Sequence, residues 1–340
     1  MEKKNKVIAC PFPQKLSHIF SDERMSAMNE LVDFRYLGDG RVNYKELDKQ
    51  LPDAFALIGQ MDMPRERLLK APGLKVIFNV EGNFYQNIDY DYCFEKNIHV
   101  LNCGVVYSKP VAEMGLCFAL DLARGVTRED RQFRQGKETY LGDSCKDSVL
   151  LSGSDVGFIG FGNLGRALLK LLQPFNCRIK IYDPWIPDSV ILENNCIPAA
   201  LDDVLSGSQF IFVLAGVTKD NQGFLNKDKF SLIRPDAFFM LLSRASVVDF
   251  DSLTDFVSRG KFSAAVDVFP EEPMTADHPV RSINNMILSP HRAGGIPWAF
   301  NLIGEMLMDD LSLLMRGLPP VRMQRALYET VRNLVSKPAG

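Results

Sequence analysis

Three closely spaced glycines, Gly160, Gly162 and Gly165, lie between a short apolar run and an amphipathic run in the middle of the chain. Residues 155–172 therefore predict a strand, a glycine-rich turn and a helix. Gly160 permits a tight turn, Gly162 lets the backbone approach a pyrophosphate, and Gly165 lets the helix pack closely on the strand. The first N–H groups of such a helix face the phosphates. A strand–turn–helix without a ligand is the alternative interpretation.

An acidic residue downstream supports a dinucleotide site. A second strand is predicted over residues 178–182, and Asp183 follows it about 20 residues past the turn, as the dinucleotide-binding pattern requires. A carboxylate at this position accepts hydrogen bonds from the adenosine ribose hydroxyls and repels a 2′-phosphate. The sequence therefore predicts NAD as the cofactor, in preference to NADP.

Three further polar residues, Arg244, Glu272 and His291, follow predicted strands at the edge where open α/β sheets place ligands. Each has an ordinary alternative: a surface ion pair for the arginine, a solvated carboxylate for Glu272 beside Glu271, and a loop cap for His291. Together they have the chemistry to reduce a 2-oxo acid. A guanidinium binds the substrate carboxylate and polarises the carbonyl. An imidazolium donates the proton, and a carboxylate on its other nitrogen fixes the tautomer.

Apolar runs alternate with helical stretches along the chain, which is typical of parallel sheets covered on both faces. A long helix is predicted to start near Pro110, with Ser108 as its cap, and to continue into a charged arm. The expected fold class is α/β, with two Rossmann-like or flavodoxin-like domains, each a doubly wound parallel sheet, and a cleft between them. Residues 1–107 plus 314–340 are predicted to form the substrate (catalytic) domain, and residues 108–313 the NAD-binding Rossmann domain.

Composition excludes several classes of partner. The chain has 340 residues, of which 46% are hydrophobic, and a net charge of −3, so nothing favours nucleic acid or an anionic membrane surface. No apolar run approaches the ~18 residues of a membrane helix. The seven cysteines are scattered and form no CxxC pair, so they predict neither a metal site nor a disulfide framework. The expected location is the cytoplasm.

From about Leu74 to Met323, the chain resembles the D-isomer-specific 2-hydroxyacid dehydrogenase family, which is NAD-dependent. The matching motifs follow the order and spacing of the family. They are NID at 87–89, PVAEMGL at 110–116, GFGNLG at 160–165, YDP at 182–184, LSRASVVD at 242–249, AAVDVFPEEP at 264–273 and SPHRAGG at 289–295.

The resemblance implies roles for particular residues. Arg244, Glu272 and His291 correspond to the catalytic set, while Glu271 falls at a variable position of the family. Asp267 would face the nicotinamide carboxamide. Members of the family pair through the region of the long helix, so a homodimer is expected. The candidate cofactor-binding residues are Gly160, Gly162, Asn163, Leu164, Gly165, Asp183, Leu242, Ser243, Asp267 and Gly294.

The candidate substrate loop departs from the family pattern, which has a second glycine where this chain has Phe84. Together with Arg244, the candidate substrate-binding residues are therefore Glu81, Gly82, Asn83 and Phe84. A bulky side chain and a carboxylate in this loop favour an unusual or cationic substrate side chain over the smallest 2-oxo acids. Packing in the core is the alternative for Phe84.

The predicted function is an NAD-dependent oxidoreductase that transfers a hydride between NADH and a 2-oxo acid or (D)-2-hydroxy acid, with this small molecule as its partner. Two alternatives remain open on the same fold. One is an NAD-sensing, corepressor-like scaffold, and the other is a phosphite-type dehydrogenase.

Overall fold

The computed structural model describes residues 4–333 and 335, apart from the side chains of residues 143 and 144. These residues form two compact units. The first unit contains the residues up to Tyr107 and those from Gly295 onward, and the second unit is Ser108–Gly294. Each unit contains one sheet.

The strands are short and mostly buried. In chain order they are β1 (Lys6–Ala9), β2 (Asp33–Tyr36), β3 (Ala54–Ile58), β4 (Val76–Asn79), β5 (His99–Asn102), β6 (Asp155–Ile159), β7 (Arg178–Tyr182), β8 (Ile197–Pro198), β9 (Phe210–Val213), β10 (Phe238–Leu241), β11 (Ser263–Val266), β12 (Met286–Leu288) and β13 (Gln324–Arg325).

The first unit has a flavodoxin-like sheet. Its strand order among the described residues is β2-β1-β3-β4-β5-β13, and only β13 runs antiparallel to its neighbour. Strand order reverses between β1 and β3, so the switch point of this sheet lies between these two strands.

The second unit has a Rossmann-type sheet. Its described strands follow the order β8-β7-β6-β9-β10-β11-β12, and all neighbouring pairs are parallel. The switch point lies between β6 and β9, beside the glycine-rich turn that follows β6. The predicted α/β fold with two parallel-dominated sheets is confirmed.

Helices connect the parallel strands. They are α1 (Leu16–Ile19), α2 (Asp22–Leu31), α3 (Tyr44–Gln50), α4 (Arg65–Leu68), α5 (Tyr90–Glu95), α6 (Gly104–Arg124), α7 (Val126–Arg134), α8 (Asn163–Leu172), α9 (Asp188–Glu193), α10 (Leu201–Gly207), α11 (Lys227–Phe230), α12 (Phe250–Ser258), α13 (Pro297–Met315) and α14 (Tyr328–Val331). No helix among the described residues is both long enough and apolar enough to cross a lipid bilayer.

The long helix α6 differs from its prediction at both ends. It begins at Gly104 and contains Pro110, whereas the sequence placed its start near Pro110. Asn102, and not Ser108, accepts a hydrogen bond from the first helical N–H, that of Gly104, at 3.0 Å. Pro110 lies beyond the first turn, so its missing N–H removes one hydrogen bond to the carbonyl four residues earlier, yet the helix continues past it. Gly125, with a φ of +64°, separates α6 from the charged helix α7.

The boundary between the units after Gly294 replaces the predicted one at residue 313. The reason is the packing of α13. Its buried residues, such as Ile303 and Leu307, belong to the same core cluster as Val7 of β1. Gly304 lets this helix approach α1 closely, because a Cβ there would lie 2.1 Å from the carbonyl oxygen of Ile19. Helical spacing predicted a buried face on α13 but did not show which core it joins.

Candidate active site

Two glycines fit close contacts in the turn between β6 and α8. Gly160 has a φ of +99°, and a Cβ there would lie 2.7 Å from the backbone nitrogen of Ala215. A Cβ on Gly165 would lie 3.0 Å from the carbonyl oxygen of Gly160. The first glycine therefore permits the turn and the approach of a neighbouring chain segment, and Gly165 permits close packing of the helix on the turn.

Gly162 leaves space beside the first turn of α8. It is the N-cap residue of this helix, and no described side chain caps it. A Cβ on Gly162 would meet no heavy atom within 4 Å. Open space beside uncapped N–H groups at a helix N-terminus suits a bound phosphate, because these groups donate hydrogen bonds to it.

Asp183 lies directly beside this turn. Its carboxylate accepts a hydrogen bond from the Phe161 N–H at 2.7 Å and another from the Trp185 N–H at 2.9 Å. These bonds hold the carboxylate at the carboxyl end of β7, next to β6. A carboxylate has about four lone-pair sites, so it retains acceptor capacity for ribose hydroxyls.

His291 and Glu272 form a hydrogen-bonded pair across two loops of the second unit. The Nδ1 atom of His291 lies 2.6 Å from Oε2 of Glu272. The other carboxylate oxygen, Oε1, accepts a hydrogen bond from the Phe269 N–H at 2.9 Å. An ionised carboxylate only accepts hydrogen bonds, so Nδ1 is the donor and Nε2 is the nitrogen left for proton transfer.

The carboxylate of Glu272 is held in its ionised form. Partial burial alone would raise its pKa, but the hydrogen bonds from His291 and from the Phe269 N–H, with the charges of His291 and Arg244, outweigh burial and lower the pKa below its ordinary value. Glu272 is therefore ionised throughout the neutral pH range.

Arg244 lies just beyond the carboxyl end of β10. Its Nη1 donates a hydrogen bond to the Ser243 carbonyl at 2.6 Å, and its charge acts on Glu272. The neighbouring hydroxyl oxygen of Ser243 is buried and has no hydrogen-bond partner within the described part of the chain. A buried hydroxyl without a partner is costly.

Asp267, which is 1% exposed, anchors the loop that carries His291. Its carboxylate accepts hydrogen bonds from the Ser289 hydroxyl and from the N–H groups of Arg292 and Ala293, the latter two at 3.1 Å. His291 itself has a φ of +48°, which is uncommon for a residue other than glycine. The anchored residues flank His291 on both sides and hold it in this conformation.

Comparison with known proteins places this chain in a family. Residues 116–293 match the model described as "D-isomer specific 2-hydroxyacid dehydrogenase, NAD binding domain". A crystal structure of a phosphoglycerate oxidoreductase from Rhizobium etli is 44% identical, covers 96% of this chain and 100% of its own, and superposes with a TM-score of 0.83.

The chain belongs to the D-isomer specific 2-hydroxyacid dehydrogenase family. Two relatives with lower sequence identity are named as reductases of 2-oxo acids. The glyoxylate reductase of Pyrococcus horikoshii is 27% identical over 83% of this chain and 86% of its own length. The hydroxypyruvate reductase of Blautia hydrogenotrophica is 28% identical over 81% of this chain and 86% of its own.

The candidate substrate loop of this dehydrogenase lies in the first unit, beyond β4. Oε1 of Glu81 accepts a hydrogen bond from the Gln14 side chain at 3.2 Å, and Oε2 accepts one from the Tyr85 hydroxyl at 3.0 Å. Phe84 is 5% exposed and packs edge-on against Tyr90, with ring centroids 6.4 Å apart. Its side chain therefore occupies the core, which is the alternative that the sequence left open.

Two buried amides that the sequence analysis did not single out hold this loop. The Gln60 amide donates to Asn79 Oδ1 at 2.8 Å, and the same oxygen accepts the Glu81 N–H at 2.9 Å. Asn79 also donates to the Asn83 carbonyl at 2.7 Å. A polar residue at the end of the apolar run of β4 was the available signal, because the carboxyl ends of parallel strands are where α/β proteins place polar site residues.

Proposed function

We propose that this dehydrogenase reduces a 2-oxo acid to a (D)-2-hydroxy acid with NADH, and catalyses the reverse reaction, using Arg244, Glu272 and His291. The observation that carries the proposal is the 2.6 Å contact between His291 Nδ1 and a glutamate whose pKa is lowered. In this proposal the second unit binds NAD and the first unit binds the substrate. The match of the NAD-binding family model to residues 116–293 supports this division.

The glycine turn, the open space beside Gly162 and the Asp183 carboxylate fit a dinucleotide, and NADH supplies the hydride when it is bound. His291 donates the proton from Nε2 to the carbonyl oxygen of the substrate. Glu272 holds the ring through Nδ1 and stabilises its protonated form. Arg244 binds the substrate carboxylate and stabilises the negative charge that develops on the carbonyl oxygen.

Oxidation of NADH, followed by absorbance with a panel of 2-oxo acids from glyoxylate to aromatic 2-oxo acids, tests the function. Turnover with at least one member, giving the D enantiomer on chiral chromatography, is expected. If NADH bound but no member of the panel were reduced, the NAD-sensing scaffold would be the better interpretation, and oxidation of phosphite would support the phosphite-type alternative.

Asp183 is expected to determine the choice of cofactor. In Asp183→Ser, kcat/KM for NADH should fall about tenfold, because the ribose hydroxyls lose a hydrogen-bond acceptor. The value of kcat/KM for NADPH should rise, because the carboxylate no longer repels the 2′-phosphate of this cofactor. The exposed carboxylate of Asp188, at the start of α9, provides the matched control Asp188→Ser. If the ratio of the two kcat/KM values were the same in both variants, Asp183 would not contact the ribose.

A homodimer is part of the proposal. The helix α7 has no buried residue, and exposed apolar side chains on and after it, such as Phe133 at 62% and Leu141 at 87%, support an interface in this region. Light scattering at micromolar concentration should give twice the 38.2 kDa mass of one chain. A single species of one-chain mass would contradict this expectation.

A location in the cytoplasm is also proposed. Its support is the state of the cysteines, which are free thiols at every one of the seven positions, all within the described residues. Burial raises the pKa of Cys93 to about 12, so this thiol is unreactive. Unpaired thiols in such number are typical of proteins in a reducing compartment.

A further inference from the structure

A pocket of about 410 Å³ lies at the amino edge of the sheet in the first unit. Its lining includes the starts of three neighbouring strands: Phe55 lies near the start of β3, Lys75 precedes β4, and His99 is the first residue of β5. Residues 317–319, which follow α13, form another wall. Small-molecule sites typically have volumes of about 300–1,000 Å³, so this pocket has room for a small ligand.

This pocket is separate from the candidate substrate loop. β4 runs parallel to β3 and β5, so the amino ends of the three strands lie at one edge of the sheet. Lys75 precedes β4, and Asn79, which holds the substrate loop, is the last residue of β4. At about 3.3 Å per residue, these two residues lie roughly 13 Å apart. The residues proposed for the reaction do not line the pocket and do not explain it.

The polar part of the lining is cationic. Lys75, His99 and the neutral Asn97 contribute polar side chains, and no aspartate or glutamate is present among the described residues of the lining. Neither Lys75 nor His99 forms a side-chain ion pair within the described part of the chain. Arg325 of β13, the strand beside β5, adds a positive charge near His99, and its guanidinium donates to the Pro320 carbonyl. The local excess of positive charge attracts an anion.

Two effects lower the pKa of His99. Burial of the imidazole disfavours its protonated form, and the positive charge of Arg325 acts in the same direction. The ring is therefore mainly neutral at neutral pH, and a neutral imidazole still has one N–H to donate. An anion in the pocket would thus meet the charge of Lys75 and a hydrogen-bond donor of His99.

The rest of the lining is mainly apolar. Gly317, with a φ of +73°, ends α13 in a left-handed turn, and the chain after it contributes Leu318 and Pro319 to the wall. Leu318 is 44% exposed. Phe55 and Leu314 are the other apolar side chains of the lining. An apolar group that covered these side chains would remove their surface from water, which is favourable.

We propose that this pocket binds a small molecule that has one anionic group, a carboxylate or a phosphate, on an apolar body the size of an aromatic ring. Lys75 and His99 contact the anionic group, and the apolar body lies against Phe55, Leu314 and Leu318. This ligand is not the substrate of the proposed reaction, because its site lies at the opposite edge of the sheet from the substrate loop.

Calorimetric titration of the NADH complex tests the class of ligand. The enzyme carries Arg244→Gln, which removes the guanidinium proposed to bind substrate carboxylates, so that the active site does not compete for the probes. The probes are phenylacetate, phenyl phosphate, acetate and 2-phenylethanol. The better of the two aromatic anions should bind with a Kd on the order of 1 mM. Acetate and 2-phenylethanol should bind at least about tenfold more weakly, because each lacks one of the two recognised groups.

Variants of the lining locate the binding site. Lys75→Ala should raise the Kd of the better anionic probe about tenfold or more, because it removes a charge-assisted hydrogen bond. Leu318→Trp should also weaken binding, because the larger side chain occupies space beside the apolar wall. Lys45→Ala is the matched control, since Lys45 is an exposed lysine of α3 in the same unit and lies outside the lining. Lys75 and Leu318 are both exposed, so their variants should keep the fold.

Three results would overturn the proposal. In the first, neither aromatic anion binds several-fold more tightly than acetate and 2-phenylethanol. In the second, Lys75→Ala or Leu318→Trp leaves the Kd unchanged. In the third, Lys45→Ala weakens binding as much as Lys75→Ala does. The titrations need no turnover, so a failure of the proposed 2-oxo acid reduction would leave this inference standing, and the reverse also holds.

Discussion

His291→Ala is expected to lower kcat for 2-oxo acid reduction by about 10²- to 10⁴-fold, which is the usual contribution of general acid catalysis. The affinity for NADH, measured by fluorescence titration, should change by less than about twofold, since the glycine turn and Asp183 remain intact. The loss of activity is expected from the geometry of the pair: Nδ1 is engaged with Glu272 at 2.6 Å, so Nε2 is the nitrogen that would donate the proton in the proposed reaction.

A second variant separates chemistry from backbone strain at this position. His291 has a φ of +48°, and asparagine adopts such angles more readily than alanine does. His291→Asn should therefore keep the loop conformation and still lose the same activity, because its amide is not an acid. His278→Asn is the control, since His278 caps a turn by accepting the Val280 N–H at 3.2 Å. Activity above about a tenth of wild type in both His291 variants would exclude His291 as the general acid.

Glu272→Gln is expected to lower kcat at pH 8 by about 10²-fold and to move the basic limb of the pH profile for reduction to lower pH. The pKa of Glu272 lies below its ordinary value, so wild-type Glu272 is an anion across the whole range of the assay. An anion beside the imidazole favours its protonated form, and the neutral amide does not. Reduction needs the protonated ring, so the variant should lose activity at a lower pH and recover part of it in acid.

The adjacent glutamate supplies the control for this experiment. Glu271→Gln removes the same charge one residue earlier, at an exposed position. Its pH profile should match that of the wild type. A shift in the Glu271 variant with none in the Glu272 variant would reverse the assignment of the carboxylate. If the limb stayed in place in both variants, neither glutamate would stabilise the protonated histidine.

Local patterns in the sequence predicted much of the fold. The bounds of β6, β7 and β12 agree with the apolar runs from which they were predicted, because each run ends at polar residues or glycine. The start of α6 was predicted wrongly, since Pro110 indicated a first turn and the helix begins at Gly104 instead. The short edge strands β8 and β13 have two residues each, and no apolar run indicated them.

Residue types and their spacing were enough to predict the glycine-rich turn after β6, the carboxylate after β7, and the side chains available for acid–base chemistry. These are properties of short-range spacing, and they do not depend on how distant segments pack. The charge balance that disfavours nucleic acid partners is likewise a property of composition.

Which distant groups meet became clear from the folded chain alone. It brought Glu272, and not Glu271, to within 2.6 Å of a histidine 19 residues away. It engaged Asp267 with the loop around His291, buried Phe84 against Tyr90 and packed α13 in the core of the first unit. The physical reason is that these contacts depend on the crossing of parallel strands and the docking of whole helices, and such long-range packing leaves no periodic signal in the residues themselves.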